Sequence, residues 1–188
     1  MTSIFKKVAI IAIAAVTMSG VANAQTPSFV KGDNVAGVSI GFGGYYSGTF
    51  YKGSGISRMP FIAAYYENCV KDNLWDDKSS LGIGGMVGYT QIKIADWYTV
   101  SDLILGVRGA LHYAFVDKLD TYTGLMLGYD IYNIKWADGS TTHIGEGTSG
   151  LAISWFLGAR YYFTDNFAAF AELGYGVAVI NFGVSIKF

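Results

Sequence analysis

Apolar side chains fall on every second position through most of this chain, and the last nine residues show it plainly. Ile180, Phe182, Val184, Ile186 and Phe188 alternate with Asn181, Gly183, Ser185 and Lys187. A period of two marks a strand with one apolar and one polar face. Earlier segments repeat the parity. Val38, Ile40 and Phe42 stand against Gly37, Ser39, Gly41 and Gly43, and Leu81, Ile83, Val87 and Tyr89 against Gly82, Gly84, Met86 and Gly88. Residues 102–115 set Leu103, Leu105, Val107, Leu111, Tyr113 and Phe115 against Asp102, Arg108 and His112. Leu125, Leu127, Tyr129 and Ile131 then oppose Gly124, Gly128 and Asp130. Leu151, Ile153, Trp155, Leu157, Tyr161 and Phe163 oppose Ser154, Gly158, Arg160 and Tyr162, and residues 167–175 place Glu172 opposite Leu173 and Tyr175. Residues 59–69 are apolar on both parities around Phe61; there Ile62, Ala64 and Tyr66 are assigned outward and Glu67 inward.

These segments make eight predicted strands, and none of the apolar faces contains a charge. In a lipid-facing strand a Lys or Arg at mid-bilayer costs roughly 2–4 kcal/mol, so this sorting is what a membrane strand requires. The pattern predicts an all-β fold: a closed, antiparallel, eight-stranded transmembrane β-barrel, the size at which side chains fill the interior. Glu67, Arg108, His112, Asp130, Arg160, Glu172 and Lys187 fall on the inward parity. They carry both signs and are expected to pair into a lumen network, because an unpaired buried charge is expensive. The inward glycines leave room for large side chains from neighbouring strands.

The connections alternate in length. Residues 117–120 and 164–166 read as short turns, whereas 45–58, 91–101 and 133–148 read as long loops, as expected when loops lie on the outer side and turns on the periplasmic side. Two connections break the rule: 70–80 is long for a turn, and 176–178 is short for an outer loop. Thr164-Asp165-Asn166 could cap a helix over the following Phe-Ala-Ala-Phe run. Gly174 and Gly176 would end it after about two turns, too few to be stable alone, so the strand is preferred. Aromatic residues gather near predicted strand ends, among them Tyr45, Tyr46, Trp97, Tyr98, Tyr113, Phe115, Tyr161, Phe163, Phe167 and Phe188. Tyr and Trp favour the headgroup level.

Composition sharpens the class. The chain has 25 Gly together with 12 Phe, 14 Tyr and 4 Trp, and only 14% charged residues. Glycine at that level in a disordered chain would come with few aromatics and much charge. Lys6 and Lys7 precede an apolar stretch, residues 8–18, too short to span a bilayer as a helix. Ala22-Asn23-Ala24 then supplies a small-x-small cleavage pattern. Residues 1–24 are therefore expected to be a cleaved signal peptide and 25–188 the barrel. Without the two leader lysines, 11 of the 13 Lys and Arg remain against 14 acids, a balance near −3 with no basic face for nucleic acid. Cys69 is the single cysteine, so no intrachain disulfide forms.

Candidate chemistry is sparse. Residues 145–150 match GxGxxG, but no strand leads into a helix there, so the plain reading is an outer loop and no cofactor is expected. With His112 and His143 in different settings and no HxH or CxxC spacing, no metal site is expected. Asp72, Asp76 and Asp77 read as solvated turn acids. Ser140, His143 and Glu146 are the nearest approach to a hydrolytic triad, and they share one loop without the spacing an enzyme needs.

The signal sequence, the Gly-aromatic strands such as residues 82–89, the Glu172-Leu-Gly-Tyr-Gly176 segment and the Val184-Ser-Ile-Lys-Phe188 end resemble the small outer-membrane proteins of the OmpX, OmpA and OmpW kind. In particular they are similar to porin-family outer-membrane β-barrels of Bacteroidetes type. The resemblance covers the whole chain beyond residue 24. It implies location in the bacterial outer membrane, contact with its lipids and lipopolysaccharide, and insertion by the barrel-assembly machinery reading Val184, Ile186 and Phe188. It does not imply a substrate. The expected role is structural or surface-interacting, with a loop ligand of unknown identity; a small channel for ions or solutes is the alternative, and a lipid A-modifying enzyme the third reading.

Overall fold

The computed structural model describes residues 28–44, 56–136, 141–142 and 150–188. The expected signal peptide, Tyr45, Tyr46, the Ser140, His143 and Glu146 group, and the GxGxxG stretch before Gly150 lie outside the described residues.

The strands are β1 (Asn34–Phe42), β2 (Ile56–Arg58), β3 (Phe61–Asp72), β4 (Ser79–Ile94), β5 (Tyr98–Val116), β6 (Leu119–Trp136), β7 (Thr141–Thr142), β8 (Gly150–Tyr162), β9 (Phe167–Tyr175) and β10 (Ile180–Lys187). Eight of them form the wall, in the order β1-β3-β4-β5-β6-β8-β9-β10, every neighbour antiparallel. β1 closes the ring: Val38 pairs with Ala64 on one side and Val184 on the other. Closure removes the unpaired sheet edges that hydrocarbon cannot satisfy. The short strands β2 and β7 flank the outer ends of β4 and β6. Residues 167–175 are strand, not helix.

The two faces sort as the alternation requires. Val107, 63% exposed, and Leu127 point to lipid, while Arg108, 9% exposed, points into the lumen beside them. Glycine opens the interior for bulky partners across the strand: a Cβ on Gly37 would lie 2.6 Å from the Tyr65 ring, and one on Gly82 2.6 Å from the Glu67 carboxylate. A larger residue at either position would push the Tyr65 or Glu67 side chain out of its place in the lumen.

The wall is uneven in height. β4, β5 and β6 have 16, 19 and 18 residues, whereas β1, β9 and β10 have 9, 9 and 8. A transmembrane strand needs about 9–11 residues. The surplus lies at the end opposite the termini, where β4, β5 and β6 continue as a sheet past the shorter strands. This corrects two expectations. Residues 91–101 are not a long loop; the strands continue to a turn at residues 95–97, where Ala95 has φ 46°. Residues 117–120 shrink to a two-residue turn, because β6 starts at Leu119 and Lys118 takes φ 64°. Above the lipid both faces of a strand can be polar, so the alternation that marks its end disappears. The long turn at 70–80 also shortens, to residues 73–78 between β3 and β4.

Candidate functional site: the charged lumen

Inward positions of β3, β5, β6 and β8 meet near the end that holds the termini. His112 Nδ1 lies 2.9 Å from Asp120 Oδ1, and Nε2 lies 3.0 Å from Glu67 Oε1. Arg160 donates from Nη1 to Asp120 Oδ2 at 3.2 Å and from Nη2 to Glu67 Oε2 at 3.1 Å. Two acids and two bases therefore alternate around a closed ring, with Arg160 only 1% exposed. Both imidazole nitrogens face carboxylate oxygens, so each contact is a hydrogen bond only when a proton lies between the atoms.

A second layer sits above the first. Arg108 Nη2 donates to Glu172 Oε1 at 2.6 Å, and the Tyr122 hydroxyl donates to the same oxygen at 2.9 Å. The Arg108 guanidinium lies 4.0 Å from the Phe156 ring centroid and 5.2 Å from that of Tyr65. Such stacking leaves a desolvated cation in favourable contact with two π faces. Tyr122 joins the layers: its ring centroid is 5.1 Å from the Arg160 guanidinium and 5.1 Å from that of His112. Beside Arg108 and Glu172 is a cavity of about 30 Å³, also lined by Asn181, Met86, Met126 and Phe156. It has room for about one water, and the buried Asn181 Oδ1, which lacks a protein partner, would use it.

The terminal end is capped from below. Phe29 is buried with its ring 4.5 Å from His112, and the Ser28 carbonyl accepts from Lys187 Nζ at 3.0 Å. Gly32 N–H donates to the Cys69 carbonyl at 3.0 Å, tying this segment to β3.

Of the seven residues expected in one network, Glu67, Arg108, His112, Arg160 and Glu172 come together. Asp130 and Lys187 do not. Lys187 lies at the terminal rim, 3.7 Å from Asp33 Oδ2 and 5.0 Å from the Tyr162 ring centroid. Asp130 points inward near the opposite end, separated from the charged layers by Ile104 and Met126. Shared parity puts side chains in the same tube but says nothing of their height along it. Asp120 joins the ring unannounced by the sequence, because it stands beside a turn, although its even number carries on the inward parity of Gly124, Gly128 and Asp130. Phe29 precedes the first strand, and no periodic signal marks it. Val184, Ile186 and Phe188 lie on the outward face of the closing strand, and Phe188 exchanges both backbone hydrogen bonds with Asn34 at 2.9 Å. Trp97 lies in the turn joining β4 and β5, and Tyr98 packs 5.3 Å from Trp136. Asp76 is a turn acid that accepts from Lys78 N–H at 3.1 Å, and no group of three or more metal-ligating side chains occurs among the described residues.

A closed ring of eight antiparallel strands, apolar outside and ionic within, is the architecture of a membrane β-barrel. No protein-family model matches the chain, and no curated protein matches it. Solved structures do. Ail, the attachment invasion locus protein of Yersinia pestis, in complex with the heparin analogue sucrose octasulfate, aligns with a TM-score of 0.52 at 10% identity, over 85% of this chain and all of that one. A second structure of the same protein aligns at 0.51 and 13% identity, over 85% and 100%. The N-terminal barrel domain of Pseudomonas aeruginosa OprF gives 0.48 at 16% identity, over 84% and 98%. The fold is that of the small eight-stranded outer-membrane β-barrels.

Proposed function

We propose that this protein is an integral outer-membrane barrel whose lumen is a structural plug and whose projecting sheet serves a surface-interaction role, without enzymatic activity. The observation that carries the reading is the double charged layer, which fills the tube and leaves space for about one water beside Arg108. Both ring nitrogens of His112 are engaged by carboxylates, so it has none left to activate a serine. The projecting sheet supports the surface role: strands β4, β5 and β6 rise past the lipid and carry Trp97, 73% exposed, at a tip.

Lipid contact is part of the proposal. The outward row Tyr89–Leu103–Ile131 is the last apolar one; above it come Gln91–Ser101–Asn133 and then Lys93–Thr99–Lys135. Lysines two rows above the apolar belt fit the anionic headgroups of lipopolysaccharide. We also take residues 1–24 as the export signal and the Val184, Ile186 and Phe188 face as the feature read by the barrel-assembly machinery. Conductance tests the plug: refolded protein in a planar bilayer is expected to give no steps. Reproducible, ion-selective steps would turn the assignment to a small channel.

A further inference from the structure

We propose that Asp102 and Asp130 hold a divalent metal cation of the calcium or magnesium type at the outer end of the lumen. The pairing register sets Asp102 opposite Tyr132 and Ile104 opposite Asp130, so the two acids are diagonal neighbours on β5 and β6. Both point inward and are only 4% and 3% exposed. Every other acid in the lumen, Glu67, Asp120 and Glu172, accepts from two or more side chains. Asp102 and Asp130 receive no hydrogen bond and no ion pair from the described residues, and Asp130 Oδ1 is sealed from solvent without a partner.

Two ionised carboxylates side by side without compensation are unstable at this depth. Ile104, wholly buried directly beneath Asp102, makes the floor apolar and keeps the charged layers below from helping. A dication would neutralise the pair. Carboxylate oxygens are hard ligands, and a site with two of them is completed by waters, which suits magnesium or calcium. Among the described residues, the softer ligands that would favour zinc, His112 and Cys69, lie toward the terminal end. The inference is independent of the surface role and of whether the lumen conducts.

Terbium(III) is the probe, excited through Tyr132 and neighbouring aromatics in folded, detergent-solubilised protein. The expected result is sensitised emission that calcium reverses, with affinity falling roughly tenfold or more in D102N and in D130N, since losing a ligand costs at least what losing a supporting residue does. Heat-modifiable gel migration confirms that each variant is folded. No calcium-reversible emission from the native protein would overturn the proposal. So would emission that survives in D102N/D130N and disappears in D76N, which would place the ion at the periplasmic turn. A carboxylic-acid infrared band assigned to the pair at neutral pH in calcium buffer, absent from D102N/D130N, would also overturn it by showing that a proton does the neutralising.

Discussion

The two ends of one lumen treat buried acids in opposite ways. Near the termini, Glu67 and Asp120 each bridge His112 and Arg160, and Phe29 seals the layer. Near the outer end, Asp102 and Asp130 share a level with neutral neighbours such as Thr90, whose hydroxyl donates to the Met59 carbonyl at 2.9 Å. The strands are the same and the parity is the same. What differs is which residues the register delivers to each height, so a barrel's interior is better understood layer by layer than as one polar core.

The largest test of that contrast is Arg160→Met. It leaves two buried carboxylates, Glu67 and Asp120, sharing His112 alone, and the expected loss is about 3–5 kcal/mol in urea unfolding from lipid vesicles, the range for breaking a buried pair. Phe29→Ala should cost about 3 kcal/mol, the low end for truncating a buried Phe. It should also raise the reactivity of His112 toward diethylpyrocarbonate; unchanged reactivity would show that Phe29 is not the seal. On the outer surface, Leu127→Arg is expected to cost roughly 2–4 kcal/mol in bilayers, as for a cation at mid-membrane. The effect should vanish in a soluble, lipid-free medium if lipid is what Leu127 faces.

At the unpaired end, Asp102→Asn should behave differently from Arg160→Met. In chelator it should not destabilise the barrel, because the carboxylate it replaces has no donor to lose and its removal relieves the repulsion with Asp130. A loss as large as that of Arg160→Met would erase the comparison. The smallest effect lies outside the membrane. Slight desolvation opposes the shift, but hydrogen bonds from Lys78 N–H, the Tyr113 hydroxyl and Ser79 hold the Asp76 carboxyl below its ordinary range. A lowered folded value means that this stabilisation is present above the ordinary Asp pKa of about 3.9 and is lost as pH falls through the folded value. Tyr113→Phe should therefore flatten the acid limb of the stability curve slightly, measured by unfolding between neutral and acidic pH.

Much of this was legible in the residues. Arg108, Arg160 and Glu172 could be placed inside because each lies one residue from side chains that lipid must face, as Arg108 does beside Val107. Glu67 could be placed with them even in the ambiguous run around Phe61. The projecting sheet could not be seen, since Thr99, Ser101 and Lys135 lie above the hydrocarbon, where nothing enforces alternation. Asp120 was hidden by its nearness to a turn, and Phe29 by lying outside any strand.

Outside the run around Phe61 and the projecting sheet, alternation determined the face of the wall residues, because pleat geometry is local and the bilayer penalises errors at each position separately. It also determined the number of strands and thus the closed, filled tube. Only the tertiary structure decided which acids found a base. That depends on register between strands far apart in sequence, as when Glu67 meets Arg160 across 93 positions. Contacts of that kind carry no periodic trace in the chain.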